Sequence, residues 1–337
     1  MRKDFQQIVI PALENAVSKA GVLLRDVDLS SLSRWKIGGR AAVLVEPGSS
    51  AEAMAVMRIM AERPEPLFIM GDASNVLFDS SGFDGVIMRM GRRMSRVEIT
   101  ERSVWAEAGI WVPQLARRVG CAGLSGMEHT VGIPGTLGGL ILMNGGSQRK
   151  GIGLNVRKVL CADRMGNQFE LSQAECGFAY RTTSLQGSRS VILEAELEFI
   201  PSDKAVVRRE MIEIMKDRRR KFPKNLPNCG STFLSDPAMY SRVGPPGKAI
   251  EQVGLKGLRR GGAQISPLHA NFIVNNGGAS SEDVLWLIGL IRYRVHKLTG
   301  WHMACEVRYV SKFGMARSAH EVSDELFGES YFINSDF

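Results

Sequence analysis

The chain has 337 residues, a prior for two domains or one large domain with an appended piece, and its 44% hydrophobic and 23% charged residues suit a globular protein with a real core. No stretch reaches the ~18 uncharged apolar residues of a membrane span. The opening Met1-Arg2-Lys3-Asp4 runs into charge unlike a secretory leader, and no repeat or low-complexity pattern supports a solenoid or a disordered scaffold.

Short β-type runs dominate the first two thirds, over residues 41–45, 67–70, 86–90, 104–108, 156–162 and 191–199. The last is the clearest: Val191, Leu193, Ala195, Leu197 and Phe199 alternate with Ile192, Glu194, Glu196 and Glu198, a period-2 strand with one mostly wet face. A helix opens at Ser49 with Glu52 in capping-box spacing and stops before Pro64; another covers 112–119. After Pro201 the texture changes. A basic helix over about 204–220 packs Val207, Met211, Ile214 and Met215 on one face, and the segment from Lys204 to Lys224 carries nine basic and three acidic residues. A joint at Pro223 and Pro227 follows, then a glycine-rich stretch and a strand over 271–275. Next come a helix capped by Ser280 and Asp283 that ends before Gly300, and a final strand over 305–310. These features predict a domain boundary near 201–204 with an α+β unit after it, and a loosely attached extension over 311–337.

Five cysteines, an odd and scattered set, fit reduced thiols and a cytoplasmic location better than a disulfide framework. His296, His302 and Cys305 match no zinc spacing, so no metal is expected. A net charge of +8 favours anionic partners. No aromatic residues interleave with the basic run, so nucleic acid is not expected, nor is a membrane surface; protein partners stay open.

Two glycine clusters carry the chemistry. Gly71-Asp72-Ala73-Ser74-Asn75 follows an apolar strand, where small residues let backbone N–H groups turn inward as a nest for phosphate oxygens; a tight turn would look the same. Gly132-Ile133-Pro134-Gly135-Thr136-Leu137-Gly138-Gly139, followed by Met143-Asn144, allows close approach of backbone to a large flat or anionic ligand, or else a tightly packed crossover. Neither is a Rossmann fingerprint and no Walker sequence is present.

These two clusters, with Gly82-Phe83-Asp84-Gly85, resemble the flavin-binding segments of the UDP-N-acetylenolpyruvoylglucosamine reductase (UDP-N-acetylmuramate dehydrogenase) family, within the vanillyl-alcohol-oxidase-like superfamily. The resemblance continues through Ala179-Tyr180-Arg181, Gly230-Ser231-Thr232-Phe233, Gly247-Lys248-Ala249-Ile250-Glu251, Gly261-Gly262-Ala263-Gln264, His269-Ala270-Asn271-Phe272 and Glu306-Val307-Arg308. It is co-linear over about 33–310, and the compact C-terminal part is similar to the family's shorter subtype.

The resemblance implies a two-subdomain FAD-binding fold over 1–203, divided at about 92, then a C-terminal α+β substrate domain over 204–310 and a tail over 311–337. It implies non-covalent FAD held by Gly71, Asp72, Ala73, Ser74, Asn75, Gly132, Ile133, Pro134, Gly135, Thr136, Gly138, Gly139 and Asn144. NADPH is the implied reductant of an enolpyruvyl UDP-sugar in peptidoglycan precursor synthesis. By motif position Ser231 is the proton donor and Arg181 and Glu306 are the stabilisers, while Tyr180, Lys248, His269 and Asn271 grip the substrate. The chemistry is coherent, because reducing the enolpyruvyl double bond builds charge against a carboxylate and needs cationic or hydrogen-bonding groups and a proton source. Two stretches depart from the family pattern: 145–151 lacks an aromatic, a glycine pair and a glutamate, and Phe233-Leu234-Ser235-Asp236-Pro237 lacks a lysine and an asparagine and gains a residue. Two other readings therefore stay open, a paralogue acting on another unsaturated nucleotide sugar and a flavin-binding module without turnover.

Overall fold

The computed structural model describes residues 4–333, and the chain packs as two compact units. The first holds the segments up to Asp26, Ala42–Asp72 and Gly85–Arg218; the second holds Val27–Ala41, Ala73–Asp84 and the chain from Arg219 onward. Both mix helix and strand, the expected α+β class.

Two sheets build the first unit. One has the order Val22–Asp28, Arg40–Glu46, Phe83–Arg89, Leu67–Met70, with the last two parallel and Leu67 opposite Val86. Val43, Val86 and Met88 of this sheet pack with Val56 and Met57 of the helix Ser50–Met60. Ser49 caps that helix by accepting from the Glu52 amide at 3.2 Å. The spacing predicted a reciprocal box, but the Glu52 carboxylate instead accepts from the amides of Gly48 at 2.8 Å and Ala20 at 2.9 Å, tying the helix to the turn before it and to the turn that precedes the strand Val22–Asp28.

The second sheet is antiparallel, in the order Gln168–Ser172, Val156–Ala162, Val191–Glu198, Ser103–Glu107, Val97–Ile99. Its central strand is the one with the strongest alternation: Leu193, Ala195 and Leu197 are buried, while Glu194, Glu196 and Glu198 are half-buried. Glu194 is satisfied by Ser50 Oγ at 2.7 Å and Trp105 Nε1 at 3.0 Å. The helices Val112–Cys121 and Leu137–Leu142 join the core of this sheet. So does the basic helix Lys204–Lys221, through Val207, Met211 and Ile214, so its apolar stripe belongs to the first unit while its polar face is wet.

In the second unit Trp35, Phe233, Ile250, Ile273, Leu287 and Val307 share one core, and Trp35 Nε1 donates to Ile273 O at 2.7 Å. The helix Ser281–Thr299 crosses it with a complete capping box from Ser280 and Asp283 and a left-handed Gly300 (φ 70°) at its end, both as predicted. The expected strand over 271–275 narrows to Ile273–Asn275, and the one over 305–310 to Arg308–Val310, which runs parallel to Val76–Phe78.

The extension after residue 310 is not loosely attached. Ala316–Ser318 pairs antiparallel with Arg308–Val310, and the helix Ala319–Leu326 follows. Ala319 and Ser323, four residues apart, form its buried stripe, Phe327 just past its end is buried too, and Ser323 Oγ donates to Leu285 O at 2.7 Å. Its acidic residues are paired as well, Asp324 with Arg292 and Glu325 with Arg317. Residues 334–337 of that extension, and Met1 to Lys3 of the charged opening, lie outside the described residues. Among the described residues no helix is long and apolar enough to cross a membrane.

Candidate active site

The two glycine clusters are sixty residues apart in sequence, and the first unit brings them together at one point. A Cβ built on Gly71 would lie 2.1 Å from Thr136 Oγ1, so only glycine permits this approach. The second cluster is held by backbone bonds on both sides: Val112 N donates to Gly135 O at 2.9 Å, Leu137 N to Ile110 O at 3.0 Å and Gly138 N to Ala108 O at 2.8 Å. Gly135 sits at φ 141°, a conformation that side chains disfavour. Ile133 N is fixed by Thr130 O at 2.9 Å, Arg218 Nε donates to Gly132 O at 3.1 Å, and Pro134 is half-buried between them and Gly135. Gly139 is exposed in the first turn of the helix Leu137–Leu142. Asp72 faces Arg89, Oδ1 to Nη2 at 3.8 Å.

The polar inventory beside this cluster fits a ligand rich in hydrogen-bonding edges. Thr136 is 6% exposed and its Oγ1 has no hydrogen-bond partner among the described residues. The short turn before the cluster adds two more such atoms, Glu128 Oε1 and His129 Nε2, both buried. Burial, reinforced by the nearby Lys150 charge, pulls the His129 pKa down to about 4, so the ring is neutral at physiological pH. Reading the sequence missed Glu128 and His129; a charged and a titratable residue four and three positions before a glycine run was the available signal.

Arg181 stands on a tight turn closed by the Ala179–Thr182 bridge, at φ 55°. Its guanidinium donates to Asn144 O at 3.5 Å and Gly146 O at 3.3 Å and lies 5.3 Å from the ring centroid of Tyr180, which is exposed. The Asn144 side chain is engaged with backbone: Nδ2 donates to Ala179 O at 2.8 Å and Oδ1 accepts from Gly153 N at 3.0 Å.

Ala73, Ser74 and Asn75 belong to the second unit. Ala73 is buried with φ 45°, Ser74 is half-buried, and Asn75 Nδ2 donates to Glu306 O at 2.9 Å. Glu306 N in turn donates to Thr232 O at 2.9 Å, and Thr232 N to Asn271 O at 2.8 Å. Asn271 is buried and closes the run with its side chain, accepting from Phe233 N at 2.9 Å and donating to Phe233 O at 3.0 Å. The segments carrying Asn75, Glu306, half-buried Ser231 and Asn271 are thus one hydrogen-bonded assembly.

His269 packs against Phe222 and Phe272, with ring centroids 5.5 and 5.0 Å away, and its Nδ1 accepts from Asn271 N at 3.2 Å. That bond assigns the proton of the neutral ring to Nε2. Burial lowers the His269 pKa, so the neutral donor is the form present at physiological pH. A Cβ on Gly247 would lie 3.2 Å from His269 Cε1, and Lys248, the next residue, is exposed on the helix Pro246–Gln252.

An α+β unit whose glycine segments meet beside buried, unpartnered polar atoms defines a flavoprotein of the FAD-binding class, and residues 41–172 match the family described as FAD binding domain. Residues 222–310 match the UDP-N-acetylenolpyruvoylglucosamine reductase, C-terminal domain. The chain is 53% identical over 300 residues to UDP-N-acetylenolpyruvoylglucosamine reductase 1 of Corynebacterium glutamicum, covering 89% of this chain and 90% of that protein. It is 36% identical over 291 residues to the reductase of Carboxydothermus hydrogenoformans, covering 86% and 94%. The crystal structure of the UDP-N-acetylenolpyruvylglucosamine reductase from Thermus caldophilus superposes with a TM-score of 0.72 at 27% identity, over 86% of this chain and 98% of that one. The chain belongs to the UDP-N-acetylenolpyruvoylglucosamine reductase family.

Proposed function

We propose that this protein is an NADPH-driven reductase of UDP-N-acetylenolpyruvoylglucosamine, yielding UDP-N-acetylmuramate for peptidoglycan precursor synthesis. Residues 1–203 serve mainly the cofactor and 204–310 the substrate. What supports the reading most is the hydrogen-bonded run from Asn75 through Glu306 and Thr232 to Asn271, which couples a flavin segment to the segments of the proton donor and a stabiliser.

FAD, when bound, supplies the two-electron chemistry that no side chain offers. Gly71, Asp72, Ala73, Ser74 and Asn75 hold it from one segment, and Gly132, Ile133, Pro134, Gly135, Thr136, Gly138 and Gly139 from the other, with Asn144 keeping its neighbouring turn in place. Thr136 Oγ1 is the buried group best suited to bond it.

Reduction of the enolpyruvyl double bond pushes negative charge toward the substrate carboxylate. Arg181 offers that carboxylate a permanently charged planar fork. Glu306 adds a hydrogen-bonding stabiliser, and the Ser231 hydroxyl gives its proton to the carbanionic carbon. An alcohol is a weak acid, so this transfer proceeds only once that carbon has become the stronger base. Tyr180, Lys248, His269 and Asn271 form the grip on the nucleotide sugar: Lys248 with an ammonium for phosphate oxygens, His269 with Nε2–H, and Asn271 by holding the Phe233 backbone two residues after Ser231. The formal charge of +8 draws in a multiply anionic substrate.

The test is direct. The purified protein is expected to be yellow with flavin absorbance and to consume NADPH only when UDP-N-acetylenolpyruvoylglucosamine is added. Flavin without sugar-dependent consumption would overturn the substrate assignment.

A further inference from the structure

We propose that Gln186 is a positioning residue for Arg181, locking it to the helix that begins in the second glycine cluster. The inference rests on the stabilising role given to Arg181 above.

Arg181 needs such a lock. It is a non-glycine residue at φ 55°, in the left-handed region that costs an L side chain about 1 kcal/mol or more. Its guanidinium is carried on a long, flexible stem and reaches Asn144 O at 3.5 Å and Gly146 O at 3.3 Å. Shorter hydrogen bonds hold its backbone. Gln186 Nε2 donates to Arg181 O at 2.9 Å and to Leu142 O at 2.9 Å. An amide nitrogen has two hydrogens, and these two carbonyls are their nearest acceptors, with Met143 Sδ farther off at 3.6 Å. Both neighbours are acceptors, so the chemistry itself decides which end of the amide faces them.

The second carbonyl matters as much as the first. Leu142 is the last residue of the helix Leu137–Leu142, whose first turn contains Gly138 and Gly139. Its carbonyl is one of those a helix C-terminus leaves without an intrahelical partner. Gln186 and Thr183, whose Oγ1 donates to Leu142 O at 2.9 Å, both use it. A continuous path therefore runs from the cluster at Thr136, along one short helix, through Leu142 O and a single side chain, to the backbone of Arg181. Asn144 braces the same turn from its other side through Ala179 O. The arrangement fixes where the guanidinium starts from, which decides how well it meets a carboxylate formed beside the cofactor.

Gln186→Glu keeps the shape of the side chain and replaces both donors with an acceptor that repels two carbonyls. It is expected to slow reoxidation of the NADPH-reduced enzyme by the enolpyruvyl sugar by roughly tenfold to a hundredfold, the cost of about 1 Å of misplacement. Flavin content and the rate of flavin reduction by NADPH should not change. Gln186→Lys, which restores N–H donors, should recover most of the sugar half-reaction, whereas a merely structural loss would not be rescued this way. Arg181→Lys separates the two layers of the argument. If it leaves sugar reduction intact, the role of Arg181 is wrong. If it abolishes sugar reduction while Gln186→Glu does not slow it, the positioning role of Gln186 is wrong. A Gln186→Glu protein that loses flavin and both half-reactions together also overturns the positioning role, since Gln186 would then be holding the fold of the unit.

Discussion

Thr136 carries the cofactor argument at the scale of one residue. Its hydroxyl is buried, has no hydrogen-bond partner among the described residues, and lies against Gly71 where the two glycine clusters meet. An unsatisfied buried hydroxyl costs about 1–3 kcal/mol, so an isosteric apolar replacement should not harm the protein without cofactor. Thr136→Val is therefore expected to leave the stability of the flavin-free protein equal or higher while flavin is lost more readily on dilution. Denaturant unfolding and flavin retention after gel filtration check the two halves; a variant that keeps flavin as tightly as the wild type would contradict the role. The glycine clusters were legible in the sequence because close backbone approach leaves a compositional trace. Gln186 and Glu128 were not: a glutamine in a polar loop or a lone glutamate before a turn looks like any solvated residue until its partners are known. Asn144 shows the converse, since its motif position pointed to the cofactor while its amide is engaged with Ala179 O and Gly153 N.

Among elements, those with a strong local signal were read correctly. The Ser280–Asp283 box and Gly300 bound one helix at both ends, and the alternation from Val191 onward marked the central strand of the larger sheet. Two elements needed tertiary information. The apolar stripe of Lys204–Lys221 was visible as Val207, Met211 and Ile214, but nothing local says which core receives it. The chain after residue 310 was harder, because its buried stripe starts with Ala319 and Ser323, small residues that barely register in a hydropathy pattern. This segment supplies Phe327 and Phe332 to the core of the second unit, and the Phe332 and Trp286 ring centroids lie 5.8 Å apart. Truncation after Val310 should therefore uncover Trp286 and the Ser281–Thr299 helix, lowering the unfolding midpoint sharply and enhancing binding of a hydrophobic dye. A truncated chain as stable as the full one would show that this segment is dispensable.

At the scale of the molecule, the family assignment, the meeting of the glycine clusters and the Asn75–Glu306–Thr232–Asn271 run support a single reading: electrons arrive from NADPH in one half-reaction and leave to an unsaturated nucleotide sugar in the other. The two halves ask for different residues, and only the second needs a proton donor. Ser231→Ala separates them. The most direct measurement is to follow the flavin absorbance of this variant, first on mixing with NADPH, then on mixing the reduced protein with UDP-N-acetylenolpyruvoylglucosamine. The account predicts bleaching at the wild-type rate and almost no return of colour; a wild-type rate of return, or equal loss of both phases, would contradict it.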